Sequence, residues 1–131
     1  MESATIESAI AIAAAKLVEP FEGFRAEPYR DPAGVWTIGF GSTRDGGGMP
    51  VSAATGPVTR QQALLLVERD LVAASMEVQR HVTVPLNANQ QAALIDFVYN
   101  LGAGNFRAST LLRLLNAGDF TQATGQFARW D

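Results

Sequence analysis

Residues 22–42 read Glu22-Gly23-Phe24-Arg25-Ala26-Glu27-Pro28-Tyr29-Arg30-Asp31-Pro32-Ala33-Gly34-Val35-Trp36-Thr37-Ile38-Gly39-Phe40-Gly41-Ser42. Asp31-Pro32-Ala33-Gly34 is turn chemistry, because proline presets φ and glycine accepts the left-handed backbone. The run from Val35 to Gly41 is rich in β-formers, so residues 29–42 are expected to form a β-hairpin. Asp31 follows Glu22 by nine positions, and the two carboxylates fall on different elements, one closing a helix and one in the turn. Such a pair can divide acid and base work between them. Glu22 suits the acid role, since a helix C-terminus and packing against Phe21 or Phe24 both favour the protonated form. Residue type alone leaves the bland alternative standing, because helix-end glutamates and turn aspartates are ordinary surface residues.

Upstream, Ile6, Ile10, Ala13, Ala14 and Leu17 recur at helical spacing in an alanine-rich segment, so residues 5–19 are read as a helix that Pro20 kinks or ends near Gly23. Downstream, residues 44–57 hold Asp45-Gly46-Gly47-Gly48 and two prolines, a loop composition to which no chemistry is assigned. Thr59-Arg60-Gln61-Gln62 matches a capping box and opens a helix to about Arg80 with Leu64, Val67, Leu71, Ala74 and Val78 on one face. Asn87-Ala88-Asn89-Gln90 repeats the capping signal before Leu94, Phe97, Val98 and Leu101, and Gly102 stops that helix. Shorter helices are expected over 109–115, ending at Gly118, and over 119–129 with Asp119 as N-cap. Strands and helices are segregated rather than alternating, which is α+β, with a cleft expected between a small antiparallel lobe (about 24–57) and a mainly helical lobe (about 1–23 and 58–131) of one domain.

The 131 residues are 47% hydrophobic and 18% charged, enough apolar content for one domain with a sizeable core. A net charge of -3 argues against broad affinity for nucleic acid. There is no cysteine and a single histidine, His81, so disulfides, a histidine-based nucleophilic triad and a multi-histidine metal site are set aside. His81 is read as a surface residue just past a helix end. The apolar run Ala9–Ala15 is far shorter than the ~20 residues of a membrane span. Glu2 and Glu7 stand where a signal peptide would be basic, so neither membrane insertion nor a cleaved leader is expected.

Glu22-Gly23, Tyr29, Asp31, Gly34 and Thr37-Ile38-Gly39-Phe40-Gly41 together resemble the signature of the phage-type lysozymes, the muramidase family that includes many endolysins. The likeness continues through Gln90-Gln91-Ala92-Ala93-Leu94, Phe97-Val98-Tyr99-Asn100-Leu101-Gly102, Ser109-Thr110-Leu111-Leu112 and Leu115-Asn116, and covers most of the chain from Leu17 onward. The resemblance implies a lysozyme-like fold and hydrolysis of the β-1,4 bond between N-acetylmuramic acid and N-acetylglucosamine, inverting and without a cofactor. By match Glu22 is the general acid, Asp31 acts with the attacking water and Thr37 helps place that water. Taken alone, Thr37 reads as a β-branched strand residue; the resemblance reverses that reading. Asn100 matches a cleft-facing amide expected to bind sugar, with a helix-capping role as the alternative. Trp130 is read as core. Arg25 and Arg30 flank the carboxylates and are assigned no role.

The resemblance also implies a Gly-rich turn, a basic segment and a last helix beyond Trp130-Asp131, and the sequence reads as lacking this tail. Two smaller departures are Ser42, where some relatives carry histidine, and Pro20, ahead of the acid. The alternative function is therefore a catalytically impaired peptidoglycan-binding module. A third reading is action on another acetylated glycan such as chitin. The expected partners are peptidoglycan glycan strands and a separate holin for release, for a monomer made in the cytoplasm and acting on the wall afterwards.

Overall fold

The structure, a computed structural model, describes residues 3–17 and 23–119. The helix break expected at Pro20, the acid Glu22, Trp130 and all but the first residue of the helix expected over 119–129 lie outside the described residues. The elements are α1 (Ser3–Leu17), β1 (Arg25–Arg30), β2 (Trp36–Gly39), α2 (Arg60–His81), α3 (Ala88–Leu101), α4 (Ala103–Arg107) and α5 (Thr110–Asn116). One hairpin and a set of helices, segregated along the chain, make the α+β class expected. The chain divides, within α1 and again within α2, into two compact units: Ala14–Asp70, and the residues up to Ala13 together with those from Leu71.

In the first unit β1 and β2 pair antiparallel, with Arg30 opposite Trp36, Tyr29 opposite Thr37 and Arg25 opposite Gly39. The strand starts at Arg25, earlier than the Tyr29 expected. Pro28, which has no N–H to give a ladder, is accommodated by an irregular register between Arg25 and Tyr29. Ile38, Val51 and Leu66 form a buried cluster with Trp36 and Val58 packed against it. Gly39 has φ +70, and a Cβ there would stand 2.9 Å from the Ala63 Cβ. Glycine is thus required twice, for its backbone and for the approach of β2 to α2. The Thr59 capping box forms: the Gln62 N–H donates to Thr59 Oγ1 at 3.1 Å and the Thr59 N–H to Gln62 Oε1 at 2.8 Å.

In the second unit Leu71, Ala74 and Val78 of α2 are buried, as are Leu94, Ile95, Phe97 and Val98 of α3. α3 opens on the expected capping box of Asn87 and Gln90 and ends at Gly102, φ +88, whose N–H donates to the Val98 carbonyl at 2.8 Å. The buried Gln91 is satisfied by donating from Nε2 to the Leu86 carbonyl at 3.1 Å. α4 is not expected from the sequence, because Gly102 before it and Gly104 within it are poor helix formers. Its cause is Phe106, fully buried and edge-on to Phe97 with centroids 6.0 Å apart. α5 is capped by Ser109 Oγ, which accepts from the Leu112 N–H at 3.0 Å. Asn116 ties the end of α5 to the exit from α2, accepting from the Thr83 N–H at 2.9 Å and donating to the His81 carbonyl at 2.8 Å. His81 is the last residue of α2 rather than just beyond it, and its Nε2 lies 3.3 Å from Glu77.

Candidate active site

The turn that carries Asp31 is held by Asp31 itself. Its Oδ1 accepts the N–H groups of Ala33 and Val35, each at 2.9 Å. Its own N–H donates to the Val35 carbonyl at 2.9 Å, and its carbonyl accepts the Gly34 N–H at 2.8 Å. Gly34 closes the turn at φ +83. One carboxylate oxygen is therefore spent on the backbone, while Oδ2 makes no hydrogen bond among the described residues.

Thr37, 3% exposed, donates its hydroxyl to the same Val35 carbonyl at 3.0 Å. A single carbonyl thus takes the Asp31 N–H and the Thr37 O–H. With its hydrogen committed, the Thr37 oxygen can only accept further bonds. The hairpin consequently carries two acceptors, Asp31 Oδ2 in its turn and Thr37 Oγ1 on β2, tied to the same Val35 carbonyl.

Paired residues in an antiparallel ladder share a face. Tyr29 and Arg25, opposite Thr37 and Gly39, lie on the Thr37 face. Trp36 and Ile38 lie on the other, toward the buried cluster, with Arg30 opposite Trp36. Each arginine stacks on its own face's ring: Arg25 Cζ is 4.7 Å from the Tyr29 centroid and Arg30 Cζ 5.0 Å from that of Trp36.

The following loop repeats the turn. Asp45 Oδ1 accepts from Gly47 and Met49 at 2.9 Å, its N–H donates to the Met49 carbonyl at 2.8 Å, and Gly48 at φ +82 donates to its carbonyl at 3.0 Å. The two turns part six residues after the aspartate, where Thr37 in the first is replaced by the buried Val51 in the second. α2 bolts this loop down. Ser42 Oγ donates to Asp70 Oδ2 at 2.7 Å, and the Arg69 guanidinium pairs with Asp70 Oδ1 at 2.9 Å while donating to the carbonyls of Arg44 and Asp45. Sequence reading missed this network, since nothing local connects Ser42 to a residue so far along the chain. A cavity of about 540 Å³ beside it, reached by Asp45, Val58, Gln62 and Arg69, contains neither Asp31 nor Thr37.

Of the residues singled out in the sequence, Asp31 and Thr37 are thus joined in one hairpin, and Glu22 lies outside the described residues. Asn100 is exposed on α3, in the other unit, and the cap of that helix is Gly102 rather than Asn100. Among the described residues no cluster of three or more metal-ligating side chains occurs, and no helix is long and apolar enough to cross a membrane.

The phage lysozyme family model matches residues 19–131. The chain belongs to the phage lysozyme family. It is 37% identical over 127 residues to a SAR-endolysin of Bacteriophage PS119, covering 93% of this chain and 73% of the relative. Among solved structures it resembles the endolysin of Escherichia coli O157:H7 phage FAHEc1, at TM-score 0.71 and 27% identity over 98% of this chain and 74% of that one. It also resembles the muramidase domain of SpmX from Asticaccaulis excentricus, at TM-score 0.70 and 29% identity over 98% and 78%. This phage lysozyme family member is a glycoside hydrolase with a lysozyme-like α+β fold and a peptidoglycan-lytic function.

Proposed function

We propose that this protein hydrolyses the β-1,4 bond between N-acetylmuramic acid and N-acetylglucosamine with inversion at the anomeric carbon. Glu22 protonates the leaving oxygen, Asp31 takes a proton from the attacking water, and Thr37 helps to hold that water. The observation that carries the reading is the shared Val35 carbonyl, which commits the Thr37 hydrogen and fixes Asp31 beside it. A water donating one hydrogen to Asp31 Oδ2 and the other to Thr37 Oγ1 turns its lone pair away from both, toward an electrophile. The role of Glu22 rests on the sequence match, and so does sugar binding by Asn100. On this reading the chain is one lysozyme-like domain. It acts as a monomer on glycan strands, after synthesis in the cytoplasm and release through a separate holin.

The test is to incubate the protein, and a Glu22→Gln variant of matched circular dichroism, with purified peptidoglycan and identify the fragments by mass spectrometry. Reducing-end muramic acid from the wild type alone is the expected result, with the α-anomer appearing first by NMR. Retained glycan binding without release by a folded wild type would overturn the hydrolytic reading and leave a binding module.

A further inference from the structure

Arg25 is an exposed cation for which the fold supplies no carboxylate among the described residues. Its guanidinium is held instead over the Tyr29 ring, 4.7 Å from the centroid. Stacking fixes the plane of the group and leaves its edge N–H donors open, the arrangement in which arginine takes a carboxylate through two parallel bonds. Tyr29 is the direct cross-strand partner of Thr37, and Arg25 stands opposite Gly39, two residues further along β2. The cation therefore sits on the hairpin face that presents the Thr37 side chain.

Arg30 provides a contrast within the same hairpin. It is equally exposed and equally stacked, but its ring, Trp36, belongs to the face packed on the Ile38 cluster. Arg69 is committed to Asp70 and two carbonyls. A peptidoglycan strand has an uncharged sugar backbone between its peptide stems, and its carboxylates lie on those stems.

We propose that Arg25, braced by Tyr29, binds a stem-peptide carboxylate and so favours strands whose stems carry free carboxylates. The proposal rests on the reading of Asp31 and Thr37 as the groups that hold the attacking water.

Soluble glycan oligomers of matched length, with stem carboxylates free or converted to amides, separate the two ideas. Wild type, Arg25→Gln, Arg25→Lys and Arg30→Gln are compared by kcat and KM on both. The expected result is that Arg25→Gln loses about fivefold of the preference for oligomers with free stem carboxylates, through KM rather than kcat, as befits a partly exposed ion pair. Arg25→Lys keeps part of the preference, and Arg30→Gln keeps all of it. The same fivefold is expected in Kd when Arg25→Gln is combined with Asp31→Asn and binding is followed by calorimetry, which does not depend on turnover. An undiminished preference in Arg25→Gln, or an equal fall in kcat on both oligomers, overturns the role of Arg25 while leaving hydrolysis intact. A wild type that turns over neither oligomer overturns the hydrolytic reading itself, and this inference with it.

Discussion

Asp31 and Asp45 ask the same thing of their backbones: each spends Oδ1 on two N–H groups and closes on a glycine with positive φ. What distinguishes Asp31 is Thr37, six residues on, whose hydroxyl shares the Val35 carbonyl with the Asp31 N–H, where Asp45 has Val51. An asparagine can accept the same two N–H bonds while losing the charge. Asp31→Asn is therefore expected to leave the melting temperature within a few degrees of wild type and to lower turnover by about 10³-fold, the scale of a lost acid–base group. Asp45→Asn, carrying the same change in the sister turn, should alter turnover less than twofold. Equal losses in the two variants would show that the turn, and not the Asp31 charge, is what activity needs. Thr37→Val should cost about 10–100-fold in kcat but little stability, since the Val35 carbonyl keeps its bond to the Asp31 N–H. In the sequence, Asp31 was legible as a turn residue because proline and glycine flank it. Its twin was passed over because Gly46-Gly47-Gly48 reads as undifferentiated loop.

Elements whose causes lie within four residues were the readable ones. Both capping boxes, Thr59 with Gln62 and Asn87 with Gln90, form as the sequence implied, because donor and acceptor are three positions apart. Thr59→Ala and Asn87→Ala are each expected to cost about 1 kcal/mol in urea titration, with unchanged turnover on peptidoglycan. A cost near zero at either site would mean that packing alone sets that helix start. Elements with distant causes were not legible. α4 exists because Phe106 is buried against Phe97, and the five residues around it have no helical pattern of their own. The hairpin begins at Arg25 because an irregular register absorbs Pro28, and the loop after β2 is fixed by Arg69 and Asp70, both on α2. The site divides the same way: the hairpin that holds Asp31 and Thr37 was visible from composition, whereas their sharing of one carbonyl is a matter of folded geometry.

Across the whole molecule the charge is -3, and the described arginines of the hairpin unit are dispersed over rings and carbonyls rather than gathered into a patch. Peptidoglycan is itself an anion through its peptide stems. Approach of enzyme to substrate is then opposed at long range and favoured only by local contacts such as the one proposed for Arg25. Salt shortens the reach of the repulsion, from about 30 Å at 0.01 M to about 10 Å at 0.1 M, while a contact of a few ångströms is screened much less. The initial rate on purified sacculi is accordingly expected to rise, by up to about threefold, as salt increases from 10 to 150 mM at constant pH. In Arg25→Gln the same rise should persist from a lower starting rate, because the long-range term does not depend on that residue. A rate that falls steeply over this range would instead mean that binding is driven by released counterions, and that a cationic surface, not the hairpin face, brings the enzyme to the wall.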